Sequence, residues 1–214
     1  PFAIKELLAR IRSITRRNVI IDDIKSKEYL NSDIIIIGHN FYIKELIDEL
    51  NLKEKIFFEY HEFLSLYLNN KKLVSICGSH GKTTLVKMLS NSNDYFSYLN
   101  GEGEGRKIKN ELFFILESCE YKNHFLIYHP NQIIITNIDY DHVDFFKSKE
   151  DYINSFKLFI KNCKKVYCKK EEYELLEKKD NLITCGLEPC CSYYLYHEPF
   201  NQDLIDIKIF HNGN

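Results

Sequence analysis

The sequence predicts an α/β fold built on a mainly parallel sheet, and three observations carry that prediction. Short apolar runs alternate with longer charged stretches of helical spacing. A glycine-lysine-threonine loop, Gly78–Thr84, separates one apolar run from a helix-like stretch. Polar residues gather where the following apolar runs stop, at Glu117 and at Asn137.

In chain order, Ile4, Leu7, Leu8 and Ile11 fall on one face of a helix from about Phe2 to Arg12. "NVIIDD" reads as a short buried strand ending at Asp22-Asp23, and Asp33 to Ile37 as a stronger one closed by Gly38. "FYIKELIDEL" returns to helix, and "KIFFEYHEFLSLYL" reads as strand then helix. A second unit begins near Lys72, so the chain divides into residues 1–71 and 72–214. Its strands are "KLVSIC", "ELFFILES" ending at Glu117, and "NQIIIT" ending near Thr136, with a helix from about Lys82 to Leu89 after the first. "DYINSFKLFIKNC" has helical spacing, and "KVYC" and "NLITCG" are two short strands flanking the charged helix "EEYELLEKK". The last segment, "CSYYLYHEPFNQDLIDIKIFHNGN", is β-rich with no helix. Asn212-Gly213 is a hairpin signal with no returning strand after it, so the sequence reads as truncated within a larger protein or as a gene remnant.

Composition narrows the function classes. The 214 residues are 44% apolar and 28% charged, enough for a sizeable core, with a net charge of −2. That balance gives no global field toward nucleic acid or a membrane, and neither is expected as a partner. No apolar run approaches the ~18 residues of a membrane helix, and no signal peptide is visible. Seven cysteines without regular spacing fit buried or idle thiols in a reducing cytoplasm better than a disulfide framework or a zinc site.

In an open α/β sheet ligands bind outside the carboxyl ends of the strands, so the residues just past each strand carry the chemistry. The first set is Gly78, Ser79, His80, Gly81, Lys82, Thr83 and Thr84. Glycines let backbone N–H groups close around phosphate oxygens, and the helix that follows adds partial positive charge. The common phosphate loop places four residues between its first glycine and the Gly-Lys pair. Here only Ser79 and His80 intervene. Lys82 can reach outer phosphates. Thr83 and Glu117 offer hard oxygens to Mg²⁺. Glu120, Asn137, Asp139, Asp141, His142 and Asp144 should meet these groups at one edge of the sheet, with His142 a candidate ligand for a second metal.

Plainer readings stand beside these. Glu117 can be an ordinary exposed carboxylate, and His124 a structural histidine. His142 can cap the helix that follows, and Asp141 and Asp144 can be charges at its N-terminus. "GEGEG", Gly101–Gly105, is a bare turn or a loop closing over an anionic ligand.

"GSHGKTT" resembles the short phosphate loop of the Mur ligases, Gly-Thr-x-Gly-Lys-Thr/Ser. "ESCEYKNHFL" is similar to the Glu-Ala-Cys-Glu-Tyr segment of the branch that adds L-alanine to UDP-N-acetylmuramate. "ITNIDYDHVDFF" resembles that branch's Thr-Asn-Ile-x-x-Asp-His-x-Asp segment. The resemblance implies a partial Rossmann-like UDP-sugar-binding domain over residues 1–71. A P-loop-type ATP-binding central domain with a β-rich C-terminal edge would follow over 72–214, incomplete. The family's opening glycine-rich loop and its third, amino-acid-bringing domain would lie beyond this sequence. It implies a cytoplasmic, ATP-dependent amide ligase of peptidoglycan precursor synthesis, using Mg²⁺ and forming an acyl phosphate. By resemblance, Lys82 stabilises the transferred phosphate, Thr83 and Glu117 hold Mg²⁺, and His142 helps hold a second metal. Asn137 belongs to the nucleotide side, and Glu120, His124 and Asp141 to the substrate side. Lys157 lies where some branches carry a carbamylated lysine, but the alanine-adding branch does not usually show it, and it receives no role. The alternative is a non-catalytic nucleotide-binding remnant. A kinase or GTPase is disfavoured, because no guanine-reading or lid motif is present.

Overall fold

The computed structural model describes residues 34–37, 56–197 and 207–211. The helices expected near residues 2–12 and in "FYIKELIDEL", the strand "NVIIDD" and the terminal Asn-Gly turn lie outside the described residues. The chain forms two compact units that divide between Asn69 and Asn70.

In the first unit, β1 (Ile34–Ile37) pairs in parallel with β2 (Ile56–Glu59), and α1 (Tyr60–Leu68) follows directly. Glu59 ends the strand and caps the helix. It forms a reciprocal capping box with Glu62, which stops the extended backbone and starts the helix within one residue.

The second unit is a nine-stranded sheet among the described residues, in the order β11-β10-β9-β8-β7-β3-β6-β4-β5. Inside it, β3 (Leu73–Cys77) is flanked in parallel by β6 (Phe113–Glu117) and β7 (Gln132–Ile135). All five β3 residues are buried, as expected of an apolar run covered on both faces. Beyond β7 come β8 (Lys165–Cys168), β9 (Leu182–Gly186) and β10 (Tyr193–His197), each parallel to its neighbour. Both edges are antiparallel. On one side β10 pairs with β11 (Ile207–His211); on the other β4 (Phe96–Leu99) pairs with β5 (Gly105–Arg106).

Sequence reading placed the central strands correctly and missed β4, β5 and a 3-10 segment over Tyr121–Ile127. Ser97 interrupts the short apolar run of "FSYL"; pairing with β6 makes it a strand. The helix after the phosphate-loop motif, α2 (Lys82–Ser92), runs one turn beyond Leu89. Helix α3 spans Lys149–Ile160, and α4, between β8 and β9, spans Lys170–Leu175. Tyr152, Phe156 and Ile160 of α3 are buried, and Phe125 of the 3-10 segment stacks on Phe159 at 4.4 Å. No helix among the described residues is long and apolar enough to cross a membrane.

The chain runs from β3 to β4 and β6 on one side, then to β7 and β8 on the other. The strand order therefore reverses around β3, and the loops leaving its carboxyl end diverge to leave a crevice.

Ile76, at 0% exposure in β3, packs with Val74, Val86 and Ile115. Ile76→Ala should lower the unfolding free energy by about 2–5 kcal/mol in urea titration. Ile209→Ala, at an edge position 72% exposed, should change it by less than about 0.5 kcal/mol.

Candidate functional site

The loop after β3 turns at Gly78, whose φ is 127°. A Cβ there would collide with the Thr136 hydroxyl and lie 2.6 Å from the Asn137 carbonyl oxygen. Only glycine allows the loop to pass this close to the end of β7. The loop is then pinned from that side. Ser79 N donates to Asn137 O at 3.2 Å, and His80 N to Asn137 Oδ1 at 2.9 Å. Asn137 Nδ2 donates in turn to Asp139 at 2.7 Å. Both ends of the Asn137 amide are engaged in holding the loop.

Ser79 is the second anchor. Its Oγ donates to Asp139 O at 2.5 Å and accepts from Asp139 N at 2.9 Å. The buried Tyr152 hydroxyl of α3 lies 2.8 Å from the same Oγ. A serine hydroxyl has one proton, already given to Asp139, so Tyr152 is the donor. Burial pushes the Tyr152 phenol well above its ordinary range, which keeps it a donor. Sequence reading missed Tyr152, because its helical spacing marks it only as core.

Gly81 enters α2 in the left-handed region at φ 78°, and no side chain caps the helix. Its first-turn N–H groups have no intrahelical acceptor, so this end suits an anion. Lys82 folds back over the loop, donating to Gly78 O at 2.6 Å and to both Glu120 oxygens at 3.2 Å. Glu120 is fully buried and also lies 3.4 Å from His142 Nε2. Burial raises the Cys77 thiol well above its usual range, and the Glu120 charge adds to the effect, so Cys77 stays a protonated core group. All seven cysteines are free.

Thr83 Oγ1 donates to Glu117 Oε2 at 2.8 Å, so a hydroxyl from α2 and a carboxylate from the end of β6 are side by side. This pair of hard oxygens fits Mg²⁺ bound together with phosphate oxygens. Among the described residues no group of three or more His, Cys, Asp or Glu side chains is gathered for a metal ion. Thr84 is exposed on the first turn of α2.

The "DYDHVDFF" segment differs from its plainer reading. Helix α3 starts at Lys149 with Ser148 as its cap, and Glu150 and Asp151 occupy its first turn. Asp141, His142 and Asp144 precede it and supply neither its cap nor its first-turn charges. His142 instead takes a left-handed backbone, φ 54°, with its N–H bonded to Asp141 Oδ1 at 2.7 Å. Its ring lies 4.7 Å from that of Tyr121, whose hydroxyl donates to Asp144 at 2.6 Å. That bond holds the Asp144 carboxyl below its usual range. His124 meets Tyr121 edge-on at 6.5 Å, so it joins the cluster through that ring. Lys157 pairs with Glu177 at 2.5 Å.

Residues 105–188 match the Mur ligase middle domain family. The chain is 34% identical over 197 residues to the UDP-N-acetylmuramate–L-alanine ligase of Streptococcus pyogenes serotype M5, covering 88% of this chain and 44% of that protein. It thus spans less than half the length of the curated relatives it matches. Among solved structures it resembles UDP-N-acetylmuramate:L-alanyl-gamma-D-glutamyl-meso-diaminopimelate ligase from Neisseria meningitides. The TM-score is 0.70 at 19% identity, over 89% of this chain and 68% of that one. It also resembles UDP-N-acetylmuramate-alanine ligase from Thermotoga maritima, with a TM-score of 0.69 at 19% identity, over 97% and 50% of the two chains. These likenesses show the fold.

Tyr152→Phe removes one buried donor from Ser79 and should cost about 1 kcal/mol in urea denaturation. Gly78→Ala, forced into a left-handed backbone and against β7, should cost more than the ~1–3 kcal/mol of backbone strain alone. In Tyr121→Phe the Asp144 pKa, followed by NMR, should rise toward the ordinary aspartate range. Its folded value is the depressed one, so its stabilisation is present above the unfolded pKa and lost as pH falls through the folded one. Tyr121→Phe should flatten that acid-side loss.

Proposed function

We propose, from the match of residues 105–188 to the Mur ligase middle domain and the 34% identity to a UDP-N-acetylmuramate–L-alanine ligase, that this chain serves an ATP-dependent ligase that joins L-alanine to UDP-N-acetylmuramate. Residues 72–214 are the ATP-binding part, and residues 1–71 contribute to the UDP-sugar domain. The observation that carries this reading is the convergence of Lys82, the Thr83–Glu117 pair and the uncapped start of α2 at the carboxyl end of β3.

In this reading the α2 N–H groups and Lys82 receive the ATP phosphates. The Lys82 ammonium is already held over the loop by Gly78 O and Glu120, so little side-chain reorganisation is needed when phosphate arrives. Thr83 and Glu117 would hold Mg²⁺, which when bound would neutralise charge on the phosphate oxygens. The muramate carboxylate attacks the terminal phosphorus of ATP, forming an acyl phosphate and releasing ADP. The alanine amine then displaces phosphate and forms the amide. His142, Glu120, Asp141 and His124 line the acceptor side, with His142 placed to help hold a second metal beside Glu120. Asn137 acts through the loop, because both ends of its side chain are engaged. The site is a cytoplasmic one in this reading.

Isothermal titration of this chain with Mg-ATP should show binding that Lys82→Ala abolishes; absence of binding by the unmodified chain would sink the nucleotide-site reading. Phosphate release dependent on both UDP-N-acetylmuramate and L-alanine would separate a ligase from a chain that only binds nucleotide.

A further inference from the structure

The Gly101–Gly105 segment closes over an anion that belongs to the chain itself. Gly101 N donates to Glu117 Oε2 at 2.7 Å, the same oxygen that accepts from Thr83. Glu117 is therefore fixed from two sides, by a hydroxyl of α2 and by a backbone N–H of the β4–β5 turn. The space above Gly101 is filled by that carboxylate: a Cβ there would lie 2.7 Å from Glu117 Oε1 and 2.9 Å from its Cδ. The Gly101 backbone is outside the left-handed region, so conformation alone does not require glycine. The missing side chain is required by Glu117.

The turn is braced independently of that contact. The buried Asn100 side chain accepts from Glu102 N at 3.1 Å and Glu104 N at 2.9 Å. Lys87, one turn along α2 from Thr83, pairs with Glu102 at 2.7 Å and Glu104 at 3.0 Å. A braced turn does not yield to an added methyl group; the Glu117 carboxylate, at the end of a flexible side chain, is what must move.

We infer that Gly101 is a positioning residue for the metal-holding carboxylate: its N–H aims Glu117 Oε2 at Thr83, and its lack of a side chain leaves room for that aim. This rests on the reading of Thr83 and Glu117 as the Mg²⁺ pair. Hydrogen-bonded partners of metal-ligating carboxylates commonly matter by 10–100-fold in metal affinity.

The test is ATP titration by calorimetry into the full chain across a Mg²⁺ series and in EDTA, for the unmodified protein, Gly101→Ala, Glu117→Ala and the double variant. Gly101→Ala should raise the Mg²⁺ needed for half of the Mg²⁺-dependent gain in ATP affinity by about tenfold. It should leave affinity in EDTA and the melting temperature nearly unchanged. In the Glu117→Ala background, where the clash is gone, Gly101→Ala should have no further effect. If Gly101→Ala folds poorly, recovery of its melting temperature in the double variant supports the same contact. Glu102→Gln, which changes the turn's charge without touching Glu117, should keep the unmodified Mg²⁺ dependence. An unchanged Mg²⁺ dependence in Gly101→Ala, or an equal loss with and without Glu117, overturns this inference alone. Failure of the unmodified chain to bind Mg-ATP overturns the nucleotide-site reading beneath it as well.

Discussion

At Gly78 the chain leaves β3 so close to Thr136 and Asn137 that no Cβ fits between them. That approach lets the Asn137 backbone and side chain accept from two successive loop amides, Ser79 N and His80 N. It also brings Ser79 within reach of Asp139 and of Tyr152 on α3. With the loop fixed against β7 on one side, α2 can start only where it does. Thr83 is then directed toward Glu117 at the end of β6, and Lys82 back over the loop toward Glu120.

The charges follow from this placement. Glu120 is wholly buried, and an isolated carboxylate there would be costly, but it sits between Lys82 and His142. Glu120 and Lys82 position each other, which explains why an acid three residues beyond Glu117 belongs to the site at all. Glu117 ends β6 itself and faces the α2 side, whereas Glu120 lies past the strand and faces the loop side. Two acids of one segment thus have separate tasks: one beside a hydroxyl and a backbone amide, the other beneath an ammonium and an imidazole.

Much of this was legible in the chain. β3, β6, β7, β8 and β9 are apolar runs of strand length, and the polar residues after them are local features of sequence. The shortened glycine loop, Glu117 and the Asp141-His142 pair could be singled out for the same reason. Tyr152 could not, because a tyrosine on the buried face of a helix looks like core until its hydroxyl is seen to meet Ser79. β4 was hidden because Ser97 interrupts its short apolar run, and β5 because two residues carry no pattern. Asp141, His142 and Asp144 could be read either as site groups or as the cap and first charges of the helix that follows. The capping geometry of Ser148 decided against the second.

The sequence by itself determined the order of the parallel strands' segments, the loop that can surround phosphate and the residue types placed at the strand ends. Those properties depend on neighbours within a few positions. Only the tertiary structure decided which of those groups meet: Glu117 with Thr83 and Gly101, Glu120 with Lys82 and His142, Ser79 with Tyr152. Those pairs are separated by 16 to 73 residues along the chain. Sheet order and backbone close approach set their distances, and no local pattern encodes either.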